Sequence, residues 1–320
     1  LNKVGGPRHE AKLREAVKTY TGLNVVGAVH RHEGLEIGER HLGLTTPGET
    51  GAFQTTIHEI ARIVGTSVDL DLLLDLAGKT TALPEPPPAR PLPDPDVTIA
   101  FARDRAFGFY YPDDLEAFHA AGARLVPFDT MKDPKLPACD GLFLGGGFPE
   151  MFVAAIAANA TLKDDIQQKI QAGLPTYAEC GGLMYLCKSL SWNGSSHDMA
   201  AVLDAQAVMH ERPQGRGYVV LEENTQQHPW PARGPQGASL HAHEFHYSAL
   251  TDLPDDLRFG YRVTRGSGIT AQQDGIVLKN LFAAYTHQRH CASNPWVTRF
   301  LQFVQSHSDA RPVDITTALR

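Results

Sequence analysis

The sequence predicts an α/β protein with two domains, the second of which is built around a largely parallel sheet. The chain has 320 residues, which is long for one hydrophobic core and sufficient for two. Seven prolines fall within residues 83–96, where they exclude helix interiors and central strands. After this stretch, short apolar segments alternate with helical patterns, as is typical of parallel sheets.

The first domain is predicted over residues 1–83. Leu13, Val17 and Tyr20 recur at helical spacing within residues 9–20, and a second helical pattern covers residues 53–64. Between them, the apolar run at residues 23–29 predicts a short buried strand. This alternation predicts a piece of an α/β layer, followed by a stiff proline-rich linker at residues 84–96.

The second domain is predicted over residues 97–308, with a tail at 309–320. The predicted strands of its parallel part are 97–101, 124–128, 141–144 and 176–179. The predicted helices are 112–122, 151–172, one that begins near residue 182, and a last one at 296–304. Beyond residue 200, segments such as 217–222 and 259–264 predict antiparallel strands.

Composition excludes several classes of protein. The net charge of −7 is modest and gives no nucleic-acid footprint, and no run of about 18 apolar residues could span a bilayer. The four cysteines have neither zinc-site nor disulfide spacing, and no signal peptide is evident, so a cytoplasmic location is expected. Because the chain opens with Leu1 and an apolar stretch, we expect an N-terminal portion to be missing.

Cys180 is the candidate nucleophile. It follows a short predicted strand and precedes a predicted helix, with Gly181 and Gly182 directly after it. This order is typical of a nucleophile elbow, in which glycines permit a sharp turn and helix N–H groups stabilise a thiolate or an oxyanion. A buried core cysteine is the alternative, since most free cysteines are of that kind.

A second glycine-rich turn, Gly145, Gly146 and Gly147, follows another predicted strand. It would present N–H donors at the same carboxyl edge of the sheet, where open α/β sheets bind ligands. A nucleotide-phosphate loop is excluded because no Lys-Ser/Thr follows and the GxGxxG spacing is absent. Among fifteen histidines, His287 at the end of an apolar run is the candidate base, although a surface histidine would fit that position equally.

Other residues are given simpler interpretations. His241, His243 and His246 could be taken for zinc ligands, but a strand would point the third away from the first two, so no metal site is predicted. Cys187 lies about two helical turns after Cys180 and is predicted to be a core residue.

Four ordered motifs resemble the cobyrinate a,c-diamide synthase family. They are Leu-Gly-Gly-Gly-Phe-Pro-Glu at 144–150, Tyr-Ala-Glu-Cys-Gly-Gly-Leu-Met-Tyr-Leu at 177–186, His-Glu-Phe-His-Tyr-Ser at 243–248 and Tyr-Thr-His at 285–287. Further similarity at 1–5, 39–44 and 102–112 extends the resemblance over practically the whole chain. It implies a partial dethiobiotin-synthetase-like ATP-binding domain followed by a class I, flavodoxin-like glutamine amidotransferase domain.

The resemblance implies ATP-dependent amidation of the a and c acetate carboxylates of cobyrinate or hydrogenobyrinate in cobalamin biosynthesis, with glutamine as the nitrogen donor and Mg²⁺ beside the nucleotide. By the same resemblance Cys180 attacks glutamine and His287 is its base. The glycines at 145–147 and 181–182 bind glutamine or the oxyanion, and Asn2 matches a position near the adenine. The partners expected are glutamine and a tetrapyrrole, and the oligomer considered is a homodimer.

Three departures from the family qualify this hypothesis. No Gly-x-x-x-x-Gly-Lys-Ser/Thr occurs, so the phosphate loop is expected in the missing segment and this chain alone is not expected to ligate. Arg289 stands two residues after His287, where most triad amidotransferases have glutamate, so the third triad member is unassigned. Residues 285–290 depart from the His-Leu-His-Phe ending that is commoner in corrin enzymes, and residues 265–269 and 274–276 resemble more closely relatives that amidate siroheme-type rings.

Several alternatives therefore stay open. Siroheme or nickel-sirohydrochlorin is the second candidate substrate. An inactive, truncated protein that binds a tetrapyrrole or a partner is the alternative of another class, and an amidase or peptidase of the same architecture is a third.

Overall fold

The computed structural model describes residues 1–37, 39–40, 43–44, 53–85, 92–234 and 238–308. Backbone contacts divide the chain into two compact units, residues 1–90 and 91–320. The predicted tail at 309–320 and residues 86–91 of the predicted linker lie outside the described residues.

The first unit is mainly helical where it is described. Its elements are α1 (Pro7–Thr21), a 3-10 turn (Glu33–Leu35), β1 (Glu39–Arg40), β2 (Gly43–Leu44), α2 (Phe53–Ser67) and α3 (Leu70–Gly78). Proline at the first position of α1 needs no hydrogen-bond acceptor, and Gly22 ends the helix in the left-handed conformation, with φ of 68°. The two predicted helices of this unit are confirmed.

The predicted strand at residues 23–29 is wrong. Within the described residues, segment 23–29 forms one isolated bridge, Gly27 with Val68, and a second isolated bridge joins Val4 to His30, just after the segment. Leu23 is exposed, and Ala28 is buried. An extended segment becomes a regular strand only where successive residues pair with a neighbouring strand, and these single-residue bridges do not form such a run.

The second unit contains most of the strands. They are β3 (Val97–Ala102), β4 (Phe107–Phe109), β5 (Ala123–Phe128), β6 (Gly141–Leu144), β7 (Gly146–Gly147), β8 (Thr176–Glu179), β9 (Ser189–Trp192), β10 (Ser195–Asp198), β11 (Gln206–Met209), β12 (Gly215–Glu223), β13 (Ser239–His246), β14 (Ser248–Thr251), β15 (Arg258–Arg265), β16 (Gln273–Leu278) and β17 (Leu281–Ala284). The helices are α4 (Pro112–Ala120), a 3-10 turn (Pro149–Met151), α5 (Val153–Ala158), α6 (Ala160–Gln171), α7 (Gly181–Leu186) and α8 (Trp296–Ser308).

A nine-stranded sheet organises this unit, in the order β13-β12-β15-β16-β17-β8-β6-β3-β5. The five strands from β17 to β5 are parallel, and the strands from β13 to β17 pair antiparallel. Taken in chain order, the parallel strands have the 2-1-3-4-5 arrangement of flavodoxin-like sheets. The predicted parallel sheet with an antiparallel extension is confirmed.

Both faces of the parallel sheet are covered. Leu142 and Leu144 point into one core with α5, α6 and α7, whereas Phe143 between them points into another with α4 and α8. Every residue of β6, β8 and β17 is buried, as expected for strands covered on both faces. Among the described residues, no helix combines the length and the apolar character that crossing a bilayer requires.

The single helix predicted at residues 151–172 is instead two helices, α5 and α6, after a 3-10 turn. The break is at Asn159, where ψ is 63°. Its side-chain amide donates hydrogen bonds to the carbonyls of Thr130 and Asp133, at 3.0 and 2.9 Å. Because both acceptors belong to another segment of the chain, periodicity within residues 151–172 does not reveal this break.

Candidate active site

Cys180 occupies the turn between β8 and α7. Its φ of 46° and ψ of −96° lie in a region that residues with a side chain rarely adopt, at a cost of about 1–3 kcal/mol. The N–H of Cys180 donates to the carbonyl of Ala284 on β17, at 2.8 Å. A methyl carbon on Gly182 would lie 2.2 Å from the Leu144 carbonyl oxygen, so only glycine lets α7 pack this closely on β6. The turn therefore has the geometry of a nucleophile elbow.

His287 lies beside Cys180, three residues beyond the end of β17. Its ring is buried, with Nδ1 3.6 Å from Oε2 of Glu179. Burial disfavours the charged imidazole, but hydrogen bonds with Cys180 and Glu179 outweigh it and raise the pKa of His287 to about 10. At neutral pH the ring is therefore protonated.

Two further neighbours define where the His287 ring lies. The ring of His243 stacks on it, with centroids 5.0 Å apart and an angle of 17° between the planes. The backbone N–H of His287 donates to the His243 carbonyl at 2.8 Å. A methyl carbon on Gly146 would lie 2.6 Å from Cε1 of His287. Glycine at position 146 thus provides the space that the imidazole occupies.

The two glycine-rich turns meet at this site. The N–H of Gly145 donates to Oη of Tyr110 at 3.1 Å, and the N–H of Gly182 donates to the Gly145 carbonyl at 3.1 Å. The Gly182 amide therefore joins the two turns, and the Gly145 amide ties the first of them to Tyr110. The N–H of Gly181, at the first position of α7, has no acceptor within its own helix.

Gly146 and Gly147 form β7, which pairs antiparallel with β4. A methyl carbon on Gly147 would lie 2.0 Å from the Ala106 carbonyl oxygen, and one on Gly181 would lie 2.9 Å from the Gly147 amide nitrogen. The glycines are thus needed for close backbone packing around the elbow. Their role in holding glutamine or an oxyanion stays a prediction.

Glu179, the residue before the nucleophile, was not singled out from the sequence. Its carboxylate is buried, and Oε1 accepts hydrogen bonds from Oη of Tyr177 at 2.5 Å and from the N–H of Gln288 at 3.0 Å. The available signal was an acidic residue at the end of an otherwise apolar buried strand, because a buried charge requires partners. Arg289, in contrast, is directed to Asp113 at the surface, with Nε 3.1 Å from Oδ2.

A cleft of about 770 Å³ leads to His287. Its wall includes Tyr111, Arg216, Tyr218 and Phe245. The carbonyl oxygen of Phe245, a residue of this wall, lies 4.0 Å from the sulfur of Cys180. Aromatic and cationic side chains at its mouth suit a small polar ligand that carries a carboxylate.

The three histidines of the 241–246 segment do not converge. His241 is exposed, His243 stacks on His287, and His246 is buried with Nε2 3.7 Å from Oε2 of Glu244. Across the parts of the chain that the structure describes, no group of three histidine, cysteine or acidic side chains could hold a metal ion.

The remaining cysteines lie apart from the elbow. Cys187 is a core residue, as predicted, but α7 ends at Leu186, so Cys187 follows the helix and does not share a helical face with Cys180. Burial raises the pKa of Cys187 to about 12, which makes it a poor nucleophile. Cys291 is exposed and Cys139 is half-buried.

Asn2 lies in the first unit and is exposed, and its side-chain oxygen accepts a hydrogen bond from the N–H of Lys3 at 2.8 Å. Because the 320 residues contain no phosphate-loop sequence, Asn2 alone does not constitute a nucleotide site. Its role stays a prediction.

A protein-family model for the CobB/CobQ-like glutamine amidotransferase domain matches residues 98–295. The chain is 40% identical over 310 residues to a cobyrinate a,c-diamide synthase of Magnetococcus marinus, covering 95% of this chain and 66% of that protein. It is 35% identical over 312 residues to the enzyme of the same name from Methanosarcina acetivorans, covering 90% of this chain and 62% of that protein. The chain thus spans about two thirds of the length of these relatives.

Among solved structures, PurLQS from Thermotoga maritima shares the fold. The TM-score is 0.51 at 14% sequence identity, over 67% of this chain and 99% of that chain. The parallel sheet and the elbow at Cys180 are consistent with these similarities. The chain belongs to the CobB/CobQ-like glutamine amidotransferase family, together with relatives named cobyrinate a,c-diamide synthase.

Proposed function

We propose that this chain supplies the glutaminase half of an ATP-dependent amidotransferase, which amidates the a and c acetate side chains of cobyrinate or hydrogenobyrinate in cobalamin biosynthesis. The observation that carries the proposal is the contact between Cys180 on its strained turn and the buried, protonated His287. The names of the relatives support the tetrapyrrole substrate.

The first half of the reaction forms a thioester. The Cys180 thiolate attacks the side-chain amide carbon of glutamine, and the amide oxygen becomes an oxyanion within reach of the Gly181 N–H. As the carbon–nitrogen bond breaks, the His287 imidazolium donates its proton to the nitrogen, and ammonia leaves. A histidine that is protonated at rest suits this step, because the leaving group needs a proton and the nucleophile does not.

The second half restores the resting pair. Neutral His287 takes a proton from a water molecule while the water oxygen attacks the thioester carbon. The carbon–sulfur bond breaks, glutamate is released, and the thiolate is again beside the imidazolium. The two halves together consume one glutamine and one water and release one glutamate, one ammonia and one proton.

ATP and Mg²⁺ enter this proposal through the family resemblance of the sequence alone. The residues present do not fit a complete nucleotide site, because the phosphate-loop sequence is absent and Asn2 is the one matching position. The chemistry supported by this chain's own residues is the release of ammonia. The homodimer stays a prediction.

Siroheme and nickel-sirohydrochlorin stay the second candidate substrates. Two of the motifs that favoured these substrates, at residues 265–269 and 274–276, contact the segments that carry His243 and His287. Glu244 accepts the N–H groups of Ser267 and Gly268 at 2.7 and 2.8 Å. Asp274 is fully buried and accepts the N–H groups of Tyr285 and Thr286, each at 3.0 Å. Because these residues support the segment that carries His287, they give no direct evidence about the ring.

The test is hydrolysis of glutamine by the chain together with covalent labelling by a diazoketone analogue of glutamine. Cys180→Ala should lower kcat by about 10³-fold or more and abolish the label. Cys187→Ala is the matched control, since it removes a buried thiol that lies outside the site, and it should keep both.

Label that persists in Cys180→Ala would overturn the assignment of the nucleophile. Absence of both hydrolysis and label, with tetrapyrrole binding retained, would support the inactive binding protein instead. Turnover of amides or peptides without turnover of glutamine would favour the amidase or peptidase alternative.

A further inference from the structure

The buried carboxylate of Glu179 faces Nδ1 of His287. In enzymes that use a nucleophile and a histidine, such a carboxylate holds the imidazole in one tautomer and one orientation. Arg289, at the position where a glutamate would be expected, is cationic and largely exposed, and it lies over the ring of Tyr111 at 5.7 Å. A carboxylate must therefore come from elsewhere if His287 is to be oriented in this way.

Glu179 has the required position. Oε2 lies 3.6 Å from Nδ1 of His287, and both side chains are at least nine-tenths buried. Within the described residues, His287 is the one basic side chain that forms an ion pair with Glu179. Since an isolated buried carboxylate is costly, the imidazolium and the carboxylate stabilise each other.

The orientation of Glu179 is fixed by neighbours that use only its other oxygen. Oη of Tyr177 and the N–H of Gln288 both donate to Oε1, at 2.5 and 3.0 Å. The side-chain amide of Gln288 donates in turn to Oη of Tyr177 at 2.9 Å. The Tyr177 ring stacks with Phe143 and Phe282, at centroid distances of 5.5 and 6.0 Å. These contacts leave Oε2 directed to His287.

We propose that Glu179 is the positioning residue of a Cys180–His287–Glu179 triad, with the carboxylate supplied by the residue before the nucleophile. It keeps a proton on Nδ1 of His287, so that Nε2 exchanges protons with the sulfur and the leaving ammonia. This inference rests on the proposed glutaminase function. It also explains how the site dispenses with a glutamate at position 289.

The test compares Glu179→Gln with the parent chain in glutamine hydrolysis as a function of pH. Glutamine has the same shape and retains an oxygen that accepts from Tyr177, but it carries no charge. We expect kcat to fall by about 10²–10⁴-fold. The alkaline limb of the profile, which reports loss of the His287 proton, should move at least about one unit to lower pH, because one of the two partners that raise the pKa of His287 is gone while Cys180 remains.

Glu223→Gln is the matched control. Glu223 is also a buried carboxylate, but it pairs with Arg299 at 2.8 Å and does not contact the Cys180 site. Its variant should keep the parent's pH profile even where stability falls. Glu179→Asp retains the charge on a shorter side chain, so it should restore the alkaline limb while kcat stays below the parent value.

A Glu179→Gln variant with the parent's alkaline limb and a kcat within about threefold of the parent would overturn the positioning role and leave the proposed function intact. If that variant does not fold, Glu179→Asp decides: full kcat with the shortened side chain would overturn the role. A parent chain that neither hydrolyses glutamine nor takes the label would remove the proposed function itself.

Discussion

Replacing Gly146 by alanine tests whether the position of the His287 ring limits activity. A methyl carbon at residue 146 would lie 2.6 Å from Cε1 and 3.4 Å from Nδ1 of His287. Carbon atoms in unstrained contact are about 3.5 Å or more apart, so the ring must move by about 1 Å. The stacked ring of His243 limits where it can go. The added methyl therefore displaces the imidazole from Glu179 or from Cys180.

A displacement of about 1 Å in a catalytic group lowers the rate by about 10²-fold. Overpacking a buried position costs about 1–3 kcal/mol of folding free energy. We therefore expect Gly146→Ala to fold, with a lower free energy of unfolding, and to hydrolyse glutamine about 10²-fold more slowly. Gly146 has no positive φ, so the loss would arise from steric contact and not from backbone strain.

The assay measures kcat for ammonia release and the free energy of unfolding in urea. Gly108→Ala is the control, because Gly108 lies on β4, the strand paired with β7, and a methyl there meets no atom within 4 Å. It should match the parent in both measurements. If Gly146→Ala also kept kcat within about threefold of the parent, the argument that this glycine makes room for the imidazole would be refuted.

Two further substitutions test a hydrogen bond that supports the site and the pH dependence of folding stability. Tyr110→Phe leaves the Gly145 N–H and the Ala102 carbonyl without their hydroxyl partner. The free energy of unfolding should therefore fall by about 1–3 kcal/mol, and glutamine hydrolysis should slow. An unchanged urea midpoint would contradict this expectation. Burial raises the pKa of Asp114 to about 7, so its carboxyl costs stability increasingly as pH rises from about 4 through 7. The side chain of Asp114→Asn can still accept the His290 N–H. This variant should therefore raise the free energy of unfolding at pH 8 by about 1–2 kcal/mol and change it little at pH 4. An equal effect at both pH values would show that titration of Asp114 is not the cause.

The sequence predicted the parallel sheet because strands such as β6 and β8 are short, largely apolar and covered on both faces, and such strands are recognisable from composition alone. It also placed Cys180 on a strand-to-helix turn, since two glycines after a strand are a local signal. Local signals fail where a side chain acts on distant backbone. Asn159 divides a helix by binding the carbonyls of residues 130 and 133, and no periodicity records that.

The candidate site shows the same limit. Glu179 belongs to the site because a strand about a hundred residues later brings His287 to it, and sequence spacing does not express that approach. The glycines at 145–147 were predicted to donate N–H groups. In the structure, two of these positions also need glycine because a side chain has no room there. The imidazole of His287 fills the space at Gly146, and backbone atoms fill it at Gly147.

The hydrogen bond from Cys180 to the Ala284 carbonyl has a consequence for biosynthesis of the chain. The nucleophile and its base follow the ends of adjacent strands, β8 and β17, which pair only after the intervening strands β9 to β16 have been made. Such a long-range pairing is slow to form and late in translation. A nascent chain therefore exposes Cys180 without its imidazolium partner, and ammonia release is expected to begin only once residues beyond 287 have emerged and the sheet has closed.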